Sequence, residues 1–167
     1  MLARIQSVLL LAWVLGVGGS AWAGDPIGVG DSMAPAELND QHGKPHGIDS
    51  DVQVLLFSRD MDGGAVIRGV LDEDPEFLAR NRAVYVSDVS GMPRFVLNAI
   101  AKPKMRGRPY PVLLDETGEV TAGLPSEKGK PTVIWLEAGT VRRIAEPATP
   151  EDLRGLFAPG DGSAAAD

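Results

Sequence analysis

The chain has 167 residues, a formal net charge of −7 and no cysteine. That length accommodates one compact domain, and an acidic balance argues against nucleic acid as a partner, because it repels the phosphate backbone. Without thiols, disulfides, thiol–disulfide exchange, thiol peroxidase chemistry and cysteine-ligated metals are excluded; two histidines, His42 and His46, are too few for a histidine-based metal centre unless carboxylates complete it.

At the N-terminus, Arg4 precedes an apolar run from Val8 to Val17, followed by small residues and Ala21-Trp22-Ala23. This is the pattern of a secretory signal with a small-x-small cleavage site. Residues 1–23 are expected to be the signal, 24–157 the domain and 158–167 a disordered tail. The apolar run is shorter than the ~20 residues a spanning helix needs. The expected location is therefore the periplasm or the secreted space, with no stable membrane insertion. Gly30-Asp31-Ser32 touches on an esterase motif, but that chemistry needs a late histidine and none follows His46.

Leu38 and Ile48 flank Asp40-Gln41-His42-Gly43-Lys44, which predicts two short strands around a turn, with His42 and His46 as exposed turn residues. Val52 to Phe57 is nearly all apolar and suits a strand buried on both faces. From Val66 the apolar residues fall at 66, 67, 70 and 71, one side of a helix. Between the two lies Asp60-Met61-Asp62-Gly63-Gly64, with Asp62 expected as the helix N-cap. Asp74-Pro75-Glu76 predicts a helical restart through Arg80. Ala83 to Ser87 has strand composition, and the chain turns at Asp88 to Met92 before Pro93 opens a helix carrying Val96, Leu97 and Ile100 on one face. Lys102 to Pro109 is basic, and its prolines and glycine predict an irregular solvated loop, with contact to an anion or a lipid headgroup as the alternative. Tyr110 to Asp115 is a further strand. Gly129 to Ile144 reads as strand, turn and strand, and Thr149-Pro150-Glu151-Asp152 caps a last helix with Leu153, Leu156 and Phe157 as its buried stripe. The alternation gives an α/β class with a parallel element covered by helices.

Two resemblances meet at the corner. Asp60-Met61-Asp62-Gly63 after a strand resembles the aspartate motif of haloacid-dehalogenase-type phosphatases, which implies a Mg-dependent hydrolase. That family also needs a late acidic pair, and here the late candidates are Asp161 and Asp167 in the tail. The other resemblance covers roughly Gly30 to Phe157. Phe57 is followed five residues later by Asp62, where thioredoxin-like proteins have the first cysteine of CxxC, so that Asp62 and Ala65 occupy the cysteine positions. Gly129-Lys130-Pro131-Thr132, an apolar strand, Gly139 and Val141 resemble the thioredoxin hairpin, and the opening around Gly30-Asp31 and Asp40 to Lys44 resembles the N-terminal hairpin of the peroxiredoxin-like branch.

The second resemblance implies a thioredoxin-like fold, a central mixed sheet flanked by helices with an N-terminal β-hairpin extension. It further implies a cis peptide bond before Pro131 and a binding groove of Met61, Asp62, Gly63, Gly64, Ala65, Met92, Lys130 and Pro131. In that groove the Lys130 backbone would pair with an extended peptide or another exported protein. The function expected is a redox-inactive binding or accessory module with no catalytic residue and no cofactor. The alternatives are a hydrolase using Asp60 and Asp62, with Asp88 completing a carboxylate cluster for Mg²⁺ or Ca²⁺, and a scaffold without a site.

Overall fold

A computed structural model describes residues 26–158. The signal segment expected over 1–23 and the tail expected over 158–167, apart from Ala158, lie outside the described residues. A seven-stranded mixed sheet has the order β2-β1-β5-β4-β3-β6-β7, with β1 at Ala36–Asp40, β2 at Pro45–Ile48, β3 at Val54–Ser58, β4 at Ala83–Asp88, β5 at Leu113–Asp115, β6 at Thr132–Glu137 and β7 at Thr140–Ala145. The central mixed sheet with flanking helices is thus as expected, and the N-terminal hairpin β1–β2 extends it.

All five residues of β3 are buried. It pairs parallel with β4 and antiparallel with β6, so both faces and both edges are covered, which suits its unbroken apolar composition. Alternate residues divide the core. Val54 and Leu56 join Tyr85, Val133 and the helices on one face, whereas Leu55 and Phe57 join Val86, Ile134 and Val141 on the other.

The helices are α1 (Met61–Leu71), α2 (Phe77–Arg80), α3 (Arg94–Val96), α4 (Lys102–Arg106) and α5 (Pro150–Gly155), with a π turn over Leu97–Ala101 between α3 and α4. The buried apolar side chains of α1, α2, α5 and the π turn all enter the first of the two cores. Chain connectivity accounts for this. The steps β3 to β4 to β5 run in one direction along the sheet, and right-handed crossovers then place both helical connections on the same face. The opposite face is covered by Met33, Leu38, Ile48 and Leu124 instead.

Residues 27–33 cross toward the far edge as a strap. The amides of Gly30 and Met33 donate to the carbonyls of Val141 and Gly139, and the Val141 amide donates back to Asp31. The strap thereby satisfies backbone groups of β7, the last strand of the sheet.

Several local expectations change. His46 is half-buried, its Nε2 lying 2.9 Å from Asp40 Oδ2, whose other oxygen accepts the amides of His42 and Lys44; His42 is exposed as expected. The strand expected from Tyr110 starts only at Leu113. Its predecessors are held by a side chain, since Gln41 Nε2 donates to the Tyr110 carbonyl at 2.9 Å and Gln41 Oε1 accepts the Val112 amide at 2.8 Å. Of the basic stretch expected as loop, Lys102–Arg106 forms α4, which continues the helical run directly from the π turn and ends at Gly107.

Gln41 is buried and is the pin between the N-terminal hairpin and β5. Gln41→Ala strands the Tyr110 carbonyl and the Val112 amide, each worth about 1–3 kcal/mol when left unpaired. Urea unfolding of the variant should show a loss of about 2–4 kcal/mol, while an exposed-site control, His42→Ala, stays within about 0.5 kcal/mol of the parent.

Candidate functional site

The corner between β3 and α1 is held by Asp60, not Asp62. Asp60 has extended backbone (φ −134°, ψ 175°), and its Oδ1 accepts the Gly63 amide at 2.7 Å. Its Oδ2 accepts the Gly129 amide, also at 2.7 Å. Two aspartates offered equivalent local caps, and the long-range bond to Gly129 selects the earlier one; Asp62 becomes a first-turn acid, exposed and favourable to the helix dipole. The Gly129 amide holds the Asp60 carboxyl below the usual carboxylate range, burial opposes it, and the Gly63 amide adds to the lowering.

That anchor also overturns the expected cis proline. No cis peptide bond occurs among the described residues, so Lys130–Pro131 is trans. The Lys130 amide closes a turn onto the Glu127 carbonyl at 3.1 Å. The Lys130 carbonyl lies against α1, its carbon and oxygen both 2.7 Å from where a Gly63 Cβ would stand. Pro131 is buried. With its amide bonded to Glu127 and its carbonyl set against Gly63, Lys130 does not present a strand-like edge; Asp60 joins the preceding turn to the start of α1 through Gly129 and Gly63.

The acidic trio does not converge either. Asp88 Oδ1 accepts the amide and hydroxyl of Ser90, and its Oδ2 lies 3.3 Å from Arg59 Nε. Among the described residues no three His, Asp or Glu side chains gather as metal ligands do.

What the corner does open onto is a cavity of 740 Å³ on the other side of Met61. Its floor is Ser58 and Tyr85, its α1 wall is Met61 and Arg68, and its opposite wall comes from Val89, Met92, Val96, Ile100, Ala101 and Met105. Of the eight residues expected in a groove, Met61 and Met92 line this cavity, whereas Asp62, Gly63, Gly64, Ala65, Lys130 and Pro131 do not. Leu56 is opposite Tyr85 in the sheet, which places Ser58, two residues on, on the same face, and the two hydroxyls meet at 3.1 Å, fully buried. Arg68 Nη1, Tyr85 OH and Ser58 Oγ lie 2.7, 3.3 and 3.5 Å from the point where a Gly64 side chain would begin. The sequence reading names Met92, Val96 and Ile100, but not Ser58, Tyr85 or Arg68, and it does not join that helix face to the basic residues beyond it. A signal existed: Val96, Ile100, Lys104 and Arg108 recur every four residues, and all four line the cavity.

Two substitutions probe the corner. Gly63→Ala gains at most about 1 kcal/mol of helix propensity but drives a methyl into Lys130 backbone that cannot swing away, an overpacking cost of about 1–3 kcal/mol. The clash dominates, and the melting temperature should fall, whereas Gly91→Ala, with nothing within 4 Å, should leave it unchanged. For Asp60, a folded-state pKa below the ordinary 3.8 means a contribution present above that value and lost as pH falls through the lowered one. Asp60→Asn should therefore be less stable than the parent by about 0.5–2 kcal/mol at pH 7, and unfolding curves at successively lower pH should show the gap closing below the ordinary aspartate range.

The described architecture is similar to several solved structures. Peroxidoxin BcpB from Mycobacterium tuberculosis matches at TM-score 0.52 and 21% identity, over 77% of this chain and 92% of that one. A putative protein disulfide isomerase from Bacteroides thetaiotaomicron matches at TM-score 0.53 and 16% identity, over 78% and 86%. StoA from Bacillus subtilis matches at TM-score 0.50 and 18% identity, over 75% and 98%. No protein-family model and no curated protein sequence matches the chain. Identity at this level speaks to fold and not to activity. The chain thus has a thioredoxin-like fold, carried without a single cysteine.

Proposed function

We propose that this is an exported, redox-inactive binding or accessory protein whose ligand occupies the cavity beside Met61. The names of the solved structures it resembles denote peroxide and disulfide chemistry, which requires a thiol this chain lacks. Export rests on the N-terminal pattern of Arg4, the apolar run and Ala21-Trp22-Ala23.

The observation that carries the binding role is the cavity itself. A volume of 740 Å³ lies in the range of small-molecule sites, and it sits beyond the carboxyl ends of the parallel pair β3 and β4, where open α/β sheets take their ligands. Its mouth exposes large apolar side chains, Met61 at 77% and Ile100 at 60%. The expected pairing of a partner strand with Lys130 gives way to this site, because the Lys130 backbone is already engaged.

The test uses a neutral solvatochromic dye such as Nile red. The folded protein should bind it with enhanced fluorescence, and Val96→Trp, which places an indole on the cavity wall, should abolish the enhancement while the circular dichroism spectrum stays native. A folded protein that leaves the dye dark would return the chain to a scaffold without a site.

A further inference from the structure

The cavity is unlike the rest of the molecule in charge. The chain carries −7, yet the lining contains Arg59, Arg68, Lys104 and Arg108 against Asp60 and Asp88. Both carboxylates are already engaged, Asp60 by two backbone amides and Asp88 by Ser90 and Arg59. Arg68, Lys104 and Arg108 have no carboxylate at ion-pair distance among the described residues. Arg68 makes one bond, from Nη2 to the Met61 carbonyl at 3.3 Å, which leaves the edge bearing Nη1 available beside the two hydroxyls.

Those hydroxyls supply a second, independent observation. Ser58 and Tyr85 are 1% and 2% exposed and each has the other as its side-chain partner. Two hydroxyl protons are present and a single bond between the pair uses one. The second has no protein acceptor among the described residues, so the floor offers a buried donor next to an available guanidinium edge. A donor pair of that kind is complementary to an oxyanion. Beyond it the wall is aliphatic and thioether, from Met92 and Val96 to Ile100 and Met105, a surface that adapts to a flexible chain rather than to a rigid polar ring.

Resting on the binding role above, we propose that the cavity takes an aliphatic carboxylate, its head on Arg68 and the Ser58–Tyr85 hydroxyls and its tail along the Met92 to Met105 wall. Lys104 and Arg108 add attraction for the same sign of charge at the entrance. The ligand is a free acid; apolar contact with a lipid surface is the competing outcome, and the two separate experimentally.

Displacement of bound Nile red reads the preference. Laurate should displace the dye at concentrations about tenfold or more below those of dodecanol, since a charged hydrogen bond is worth at least one decade in affinity. Arg68→Gln should bring laurate to the level of dodecanol without moving the dodecanol value or the melting temperature, and Arg68→Lys should recover part of the difference. Equal displacement by acid and alcohol in the parent protein would overturn the carboxylate assignment while leaving a neutral apolar binding site. A laurate preference that survives Arg68→Gln would overturn the placement of the head. Dye binding absent from the start would remove both the binding role and this inference. Sedimentation with neutral phosphatidylcholine vesicles, together with indifference to monomeric laurate, would show instead that exposed Met61, Phe95 and Ile100 contact a lipid surface, and would overturn the free-acid site.

Discussion

One carboxylate holds three parts of the molecule together. Asp60 terminates the buried strand β3, caps α1 through Gly63 and fixes the turn before β6 through Gly129. Both oxygens engage backbone amides, so the constraint is directional and leaves little freedom in how α1 enters relative to β6. Gly63 is its counterpart, because only a residue without a side chain lets the Lys130 carbonyl approach the helix so closely. The position of the Pro131 loop, the covering of the Lys130 backbone and the direction in which the corner opens all follow from this pair.

The opening is set by topology as much as by side chains. Because successive crossovers lie on one face, α1 and the α3–α4 segment flank the same strand ends, and the gap between them is the cavity. The π turn between α3 and α4 extends the cavity wall along Val96, Ile100 and Ala101, a local widening of a kind often found at functional sites. A parallel register that sets Leu56 beside Tyr85 then brings the two floor hydroxyls together on that face.

Much of this was legible in the chain wherever the signal was local. The apolar run of β3, the one-sided pattern of α1, the turn at Gly43 and the Thr149 capping box each depend on a few neighbouring residues, and each element forms there, although β3 starts at Val54 rather than Val52 and α1 at Met61, before Asp62. What the pattern could not show depends on partners distant in sequence. Asp60 and Asp62 are the same residue type in nearly the same context, and Gly129, 69 residues away, decides between them. The basic stretch from Lys102 reads as loop because proline and glycine count as breakers, but the helical run reaches it through the π turn and stops only at Gly107. The cis proline was an inference from resemblance, and the resemblance extends to the sheet but not to the turn that Asp60 rearranges. The cavity belongs to no motif at all, since its residues come from three separate segments.

The N-terminal strap carries a consequence for the order in which the fold is completed. Residues 27–33 bond to Gly123, Gly139 and Val141, so some of the earliest residues of the domain meet some of its latest. Contacts of such sequence separation incur the full entropy of closing the intervening loop before they return any stabilisation. Met33 from the strap and Val141 from β7 share the helix-free core with Leu55, Phe57 and Ile134. Loop-closure entropy therefore favours the helical face, built from neighbours in sequence, over the face that needs both ends of the domain.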